Sequence, residues 1–239
     1  IFDTVADYQA STIVFPVGKT ITIKEDYGYF IWSILDMSVA VTQDTEQSIF
    51  IAPNSDLTGA SGAIIRQGGP IYKDVRLTIP LANGPQTLNE VIDLYSTFYP
   101  ATKNIRVIAE LATGYELTEQ LVITGKDLSF VTIVSIDADI PVNGSVWLGS
   151  HQDVGYTPAI AIRNGATSPV FNVVFDAGET VVGDDNKAGY LVRTGATLIT
   201  SGGSGIGDHC GFKNLNGRGL YAVQNAVAQI NFGEFTNCY

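Results

Sequence analysis

Apolar and polar side chains alternate along Thr12-Ile13-Val14-Phe15 and Thr20-Ile21-Thr22-Ile23-Lys24, with Pro16-Val17-Gly18-Lys19 between them as a turn. This is the period-two pattern of strands with one buried face. Tyr29-Phe30-Ile31-Trp32, Ser48-Ile49-Phe50-Ile51 and Val75-Arg76-Leu77-Thr78-Ile79 continue it, so residues 1–52 are predicted to be β. The Gly- and Ser-rich stretch from Asn54 to Gly69 is predicted to be loop. Asn83-Gly84-Pro85 is a breaker cluster and marks a domain boundary. One helix follows: Thr87 serves as N-cap with Glu90 three residues on, Leu88, Val91, Ile92, Tyr95 and Phe98 share a face, and Pro100 ends it.

Beyond Asn104 the strands are short, apolar and separated by Gly, Asp and Asn: Asn104 to Ala109, Gln120 to Ile123 and Phe130 to Val134. The segment from Ala159 to Thr167 then aligns with Gly189 to Thr197 and with Gly219 to Val227, so Gly165, Gly195 and Asn225 recur 30 residues apart. A fixed period of this size indicates a solenoid, and strand–turn–strand content in each repeat selects a parallel β-helix over an ordinary β-sandwich. Gly165 and Gly195 are expected at corners requiring positive φ, with Asn225 the next most tolerant residue type there. The helix beginning at Leu88 would cover the open apolar end of the first coil. The expected organisation is a small β-rich module over residues 1–83, followed over 84–239 by a capping helix and the first coils of a right-handed parallel β-helix that continues past the last residue of this sequence.

Composition narrows the partners. Hydrophobic residues make up 45% of 239, enough apolar area for a sizeable core. Thirteen Lys and Arg against 24 Asp and Glu give a net charge of −11, and no basic stripe is present to neutralise phosphates, so neither nucleic acid nor an anionic membrane surface is an expected partner. No run of about 18 apolar residues occurs, as a transmembrane helix would need. Cys210 and Cys238 make no disulfide framework and are expected to be plain buried thiols. Neither a metal nor a cofactor is expected.

Phe2-Asp3-Thr4-Val5-Ala6-Asp7, followed by Val17-Gly18-Lys19-Thr20, resembles the opening of a module common in bacteriophage tailspikes. Tyr27-Gly28-Tyr29-Phe30-Ile31-Trp32 is similar to its aromatic strand, and Ile51-Ala52-Pro53-Asn54 and Gly62-Ala63-Ile64-Ile65-Arg66 to its closing strands. Residues 87–134 resemble the helix and first coil of pectate-lyase-like β-helices, and the repeats resemble later tailspike coils. The Gly-Asp-Gly-Gly stretch that often precedes the aromatic strand is absent here. The resemblance implies a homotrimer on the virion, joined to other phage tail proteins through a preceding segment and recognising bacterial surface polysaccharide (capsule or O-antigen), with or without depolymerising it. The rival readings are a secreted bacterial polysaccharide lyase or hydrolase, and a structural fibre without a sugar site.

Candidate chemistry follows from the repeat. Glycoside hydrolysis uses two carboxylates, and stacked coils bring together residues about one period apart. Asp176, Glu179, Asp208 and Glu234 occupy comparable late parts of successive repeats, and Asp208-His209 joins a carboxylate to a possible general base near Ser204. The candidate catalytic residues are therefore Asp208, His209, Glu234 and Asp176, each of which has a plainer explanation as a solvated turn residue. Asp184-Asp185 offers carboxylates to calcium, though two adjacent acids in a loop are ordinary. Arg163 and Arg193, one period apart, suit acidic sugars, and Trp147, Tyr156 and Tyr221 offer aromatic faces. Tyr190 is one residue out of register with Tyr221, so Tyr190 is expected to face inward and Tyr221 outward. The candidate substrate-binding residues are Arg163, Arg193, Tyr221 and Trp147.

Overall fold

Strand outweighs helix throughout the chain, and its sheets do not close into a barrel. This emerges from a computed structural model, which describes residues 1–24, 28–183, 185–201, 209–231 and 233–238. Two compact units divide it, Ile1–Gln86 with Asp93–Ala109, and Thr87–Ile92 with Glu110–Tyr239.

In chain order, the first part runs α1 (Val5–Ala10), β1 (Thr20–Ile23), β2 (Gly28–Ser33), α2 (Ser38–Gln43), β3 (Phe50–Ile51), β4 (Ala63–Arg66), β5 (Gly69–Ile71), β6 (Val75–Ile79), α3 (Leu88–Tyr95), β7 (Phe98–Pro100) and β8 (Val107–Leu111). The strands β1, β2, β4 and β3 pair antiparallel in that order. Their alternate side chains Ile21, Ile23, Phe30, Ile51 and Ile64 form a core with Tyr8 from α1, against which Phe2, Phe15 and Trp32 pack. The buried Arg66 lies with its guanidinium 4.7 Å above the Phe30 ring and donates from Nε to the Ser48 carbonyl at 2.6 Å. The equally buried Asp44 accepts from the backbone N–H groups of Ser48, Ile49 and Phe50.

Several local expectations are corrected here. Thr4 and Asp7 form a reciprocal capping box that starts α1 where strand was expected. The alternating Thr12–Phe15 segment finds no partner strand, and Ile13 and Val14 are 60% and 93% exposed. The Ser38–Gln43 helix was not anticipated, since its valines and threonine favour strand. Inside the expected loop, Ala63–Arg66 forms β4, the strand on which β2 and β3 both pair. The helix ends at Tyr95 rather than Phe98, because Phe98 begins β7 and pairs in parallel with Gly69 of β5.

The later strands are β9 (Leu121–Thr124), β10 (Val131–Pro141), β11 (Thr157–Arg163), β12 (Thr167–Asp176), β13 (Lys187–Val192), β14 (Thr197–Thr200), β15 (Cys210–Leu215), β16 (Arg218–Ala222), β17 (Val227–Ile230) and β18 (Gly233–Cys238). They stack in three parallel ladders. The first is β9–β11–β13–β16, in which Leu121, Ile160, Tyr190 and Leu220 align. The second joins the start of β10 and β12 to β14 and β17, with Thr167, Thr197 and Val227 aligned. The third joins the ends of β10 and β12 to β15 and β18, with Ile140, Phe175, Phe212 and Phe235 aligned. These rings face inward and stack at strand spacing: the Phe175 and Phe212 centroids are 5.1 Å apart, and Tyr190 sits 4.9 Å from Phe212 and 5.5 Å from Phe171. A Cβ at Gly189 would stand 2.5 Å from the Phe212 ring, so that position admits no side chain.

Between the first and second ladders the chain turns in the same way three times. Asn164 and Gly165, Thr194 and Gly195, and Gln224 and Asn225 all have positive φ. Ala166, Ala196 and Ala226 each donate back across the turn to the carbonyl of Arg163, Arg193 and Val223. Two successive positive φ values with that bond have the φ signs of a type I′ turn. The turns also bond to one another, Gly165 N–H to the Thr194 carbonyl and Gly195 N–H to the Gln224 carbonyl, both at 3.0 Å. Residues 165, 195 and 225 are thus in register, as the repeat requires.

At the opposite edge of the first ladder, Asn89 in α3 binds the outer side of β9. Its amide nitrogen donates to the Gln120 carbonyl at 2.8 Å, and its carbonyl oxygen accepts from Val122 N–H at 3.2 Å. Leu88 N–H donates to the Tyr115 hydroxyl, and the Thr87 hydroxyl accepts from Glu90 N–H as expected of an N-cap.

Replacing Gly195, which has open space beside it, with valine should lower unfolding free energy by about 1–2 kcal/mol through backbone strain alone, whereas Asn225→Gly should be neutral or slightly stabilising. Urea midpoints measure both, and equal losses would refute the turn assignment. Asn89→Ala should cost about 1–3 kcal/mol, the penalty for leaving edge groups unpaired.

Candidate functional site

The outer faces of the ladders carry the polar and aromatic groups, and three constellations stand out. On the first ladder, Ala161, Leu191 and Tyr221 align. The tight turn 153–156, with positive φ at Val154 and Gly155, brings Tyr156 onto the same face, where it packs with Ala188, Leu191 and Tyr221. The Tyr156 and Tyr221 ring centroids are 4.9 Å apart, and the Arg218 guanidinium lies 4.7 Å from the centre of each. Tyr190, by contrast, is fully buried among the phenylalanines, so the one-residue offset does send the two tyrosines to opposite faces.

The two arginines of the repeat differ in partner. Arg193 is ion-paired with Asp153, whose side chain is only 11% exposed, and also donates to the Thr194 hydroxyl. Arg163 donates from Nε to the Thr124 hydroxyl at 3.2 Å, a neutral partner. One of the two rungs is therefore charge-compensated.

The second constellation lies on the outer face of the third ladder, where Asp139 shares a register row with Val174, Gly211 and Glu234, and Asp176 one with Lys213 and Thr236. Lys213 Nζ stands 2.5 Å from Asp139 and 3.8 Å from Asp176. The hydrogen bond that Lys213 donates to Asp139, reinforced by the charges of Asp139, Asp176 and Glu234, holds the Lys213 ammonium above its ordinary pKa against the opposing effect of burial. The residue opposite Asp176 on the next strand is thus a lysine, where sequence spacing had put Asp208. Asp176 Oδ1 also accepts from Asn214, whose own carbonyl accepts from Asn237 one rung on, both at 2.9 Å. A Cβ at Gly211 would come 2.0 Å from the Glu234 carbonyl oxygen, which requires glycine in this row.

The third constellation surrounds Lys187. Its Nζ is 2.5 Å from Glu179, 3.9 Å from Asp185 and 5.5 Å from the centre of the half-buried Trp147 ring. Glu179 further accepts from Asn216 N–H, and Asn216 Oδ1 accepts from Val182 and Gly183 N–H, so Asn216 ties Glu179, Val182 and Gly183 together.

Of the expected catalytic residues, Asp176 and Glu234 come together around Lys213, His209 is exposed, and Asp208 lies outside the described residues, as do Ser204 and Asp184. Of the expected sugar contacts, Tyr221 joins the aromatic face, Trp147 lies over Lys187, and Arg163 and Arg193 flank the first ladder. Asp139 and Arg218 were not anticipated. Asp139 follows a register shift between Val134 and Asp139, and Arg218 precedes the repeating motif. Cys210 is buried and Cys238 partly so, and both are free thiols. No group of three metal-ligating side chains occurs among the described residues, and no described helix is long and apolar enough to cross a membrane.

Chemically, the first face offers the partly exposed Tyr221 ring and the Arg218 guanidinium, with the buried Tyr156 as their support, a pairing suited to a pyranose ring or its carboxylate. In the second, Asp139 and Asp176 are bound to one ammonium rather than opposed across an empty gap as a hydrolase requires, and Glu234 adds its charge nearby. No protein-family model matches the chain, and no curated protein or solved structure shows significant similarity to it.

Lys213→Met should leave Asp139 and Asp176 facing each other uncompensated and lower stability by about 1 kcal/mol at pH 7, a modest figure because the pair is partly exposed. In the parent protein the lysine's contribution persists up to its ordinary pKa and fades only as pH climbs through the raised folded value. Thermal melts of the two proteins at pH 7 and in alkaline buffer above the lysine's raised pKa should show the deficit shrinking, and a deficit unchanged by pH would contradict the ion-pair account.

Proposed function

We propose that this chain is part of a bacteriophage tailspike whose ladders form a right-handed parallel β-helix, and that it recognises a polysaccharide of the host surface. The observation that carries the reading is the partly exposed Tyr221 with Arg218, both seated on the buried Tyr156, on a ladder that repeats every 30 residues. Parallel strands need crossover connections, and such crossovers are right-handed in about 98% of cases, which supports that hand here. A long saccharide suits a ladder, because equivalent outer positions recur at about 4.8 Å per rung and present one sugar after another with similar surroundings.

Recognition has better support than cleavage. Tyr221 supplies a partly exposed ring seated on the buried Tyr156, Arg218 supplies a donor fork, and Arg163 and Arg193 extend the polar strip along the same sheet. Asp176 shares Lys213 with Asp139 rather than facing Glu234 as one half of an acid–base pair. The homotrimeric state, the attachment to other tail proteins and the virion location follow from the resemblance in residues 2–66 and the repeat, and they belong to the same proposal.

The test is binding of the full chain to purified capsule and O-antigen polysaccharides by biolayer interferometry. Arg218→Ala and Tyr221→Ala should each weaken binding at least tenfold while the circular dichroism spectrum stays unchanged. Sedimentation should give three times the 25.5 kDa chain mass. Absence of any polysaccharide binding, or binding indifferent to both substitutions, would overturn the reading.

A further inference from the structure

A cleft of about 700 Å³ in the first unit is lined by Tyr29, Gln67, Gly68, Gly69, Pro70, Tyr72, Thr97 and Tyr99. That volume lies within the range of small-ligand sites, roughly 300–1,000 Å³. Three of its tyrosines come from three different elements. Tyr29 stands on the outer face of β2, Tyr99 lies in β7 opposite Pro70 of β5, and Tyr72 directly follows β5. They are 62%, 58% and 44% exposed, large for aromatic side chains in a unit that buries Tyr8 and Tyr95 almost completely.

The floor between them is held bare. Gly68 and Gly69 both have positive φ, and a Cβ on Gly68 would come 2.9 Å from the Thr97 carbonyl oxygen. Gly69 N–H donates to that same carbonyl at 3.0 Å, and Gln67 N–H to the Tyr29 carbonyl at 2.8 Å. The backbone supporting the tyrosines is therefore tied on both sides. The Gln67 amide nitrogen donates to the Ile65 carbonyl, which directs its oxygen to other donors, and the Thr97 hydroxyl donates to the Leu94 carbonyl, which leaves its lone pairs to accept.

We infer that this cleft is a second saccharide site, for a neutral oligosaccharide. Aromatic faces beside amide and hydroxyl groups match the two surfaces of a pyranose, its C–H face and its hydroxyl rim. None of the eight lining residues is charged, in a chain of net charge −11, so no lining residue among those described compensates a uronate or sialate carboxylate. The site is independent of the Tyr156–Tyr221–Arg218 face and differs from it in charge, since that face offers arginine.

The experiment is an array of neutral and acidic bacterial surface glycans probed with the full chain, the Tyr29→Ala/Tyr99→Ala variant and the Arg218→Ala/Tyr221→Ala variant. The exposure of Tyr29 and Tyr99 makes their removal compatible with folding, and thermal melting checks this. Tyr29→Phe/Tyr99→Phe retains the rings and should keep part of the signal. The expected result is binding to at least one neutral glycan that falls tenfold or more in the Tyr29/Tyr99 alanine variant and is retained in the Arg218/Tyr221 variant. If every signal on the array depends on Arg218 and Tyr221 and none on Tyr29 and Tyr99, the cleft is not a saccharide site while the ladder proposal stands. If Tyr29-dependent binding alone is seen, the ladder proposal falls and the cleft remains. An array with no signal, as expected of a cleft that takes a peptide, overturns both.

Discussion

The second unit depends on one backbone constraint: the paired left-handed residues where the first ladder passes into the second. Each pair reverses the chain within two residues, and each bonds to the pair above it. A left-handed conformation costs an ordinary residue roughly 1–2 kcal/mol. The corners therefore sit where the sequence places Gly165, Gly195 and Asn225, and cannot slide without forcing larger residues into that region. Once the corners are fixed, the alternation of each strand decides which residues face inward, and the rings of Phe175, Phe212 and Phe235 fall one above another. Every outward group discussed above inherits its position from that register.

The corners were legible because they repeat at a constant spacing and use residue types with a specific backbone preference. The third ladder was not legible in the same way. Its aligned residues Val174, Gly211 and Glu234 are separated by unequal lengths of chain, since more chain lies between β12 and β13 and between β14 and β15 than between β15 and β16 and between β17 and β18. Counting 30 residues from Asp176 stops short of Lys213, the residue that lies opposite it. The first pass is longer too, with Leu121 opposite Ile160, so only the later rungs showed a clean period.

The first unit shows a different failure. Thr4-x-x-Asp7 is a capping box written plainly in the sequence, yet α1 spans only six residues and its apolar positions also fit a strand. Thr12–Phe15 alternates as a strand should, but alternation describes only a segment's own side chains, and without a partner backbone the pattern leaves Ile13 and Val14 in solvent. Phe98 fits the helical face of Leu88 and Tyr95, and pairing with β5 takes it instead. In each case a long-range partner decided between two locally acceptable conformations, and that information is not contained in a window of ten residues. The tyrosine cleft escaped notice for the same reason, because Tyr29, Tyr72 and Tyr99 lie far apart in sequence and meet only through the pairing of β5 with β7.

The Asn89 contact gives the first ladder a direction. An asparagine side chain presents one donor and one acceptor at the spacing of a peptide group, so at Gln120 and Val122 it stands in for a neighbouring strand without being one. Backbone from a foreign chain that approaches this border finds those two groups already engaged, whereas β16 lies at the other border of the same sheet. Docking of additional strands is therefore asymmetric. Unwanted polymerisation through the β9 border is blocked by a single amide, at the expense of one polar residue on a helix that otherwise serves to bury Leu88, Val91 and Ile92.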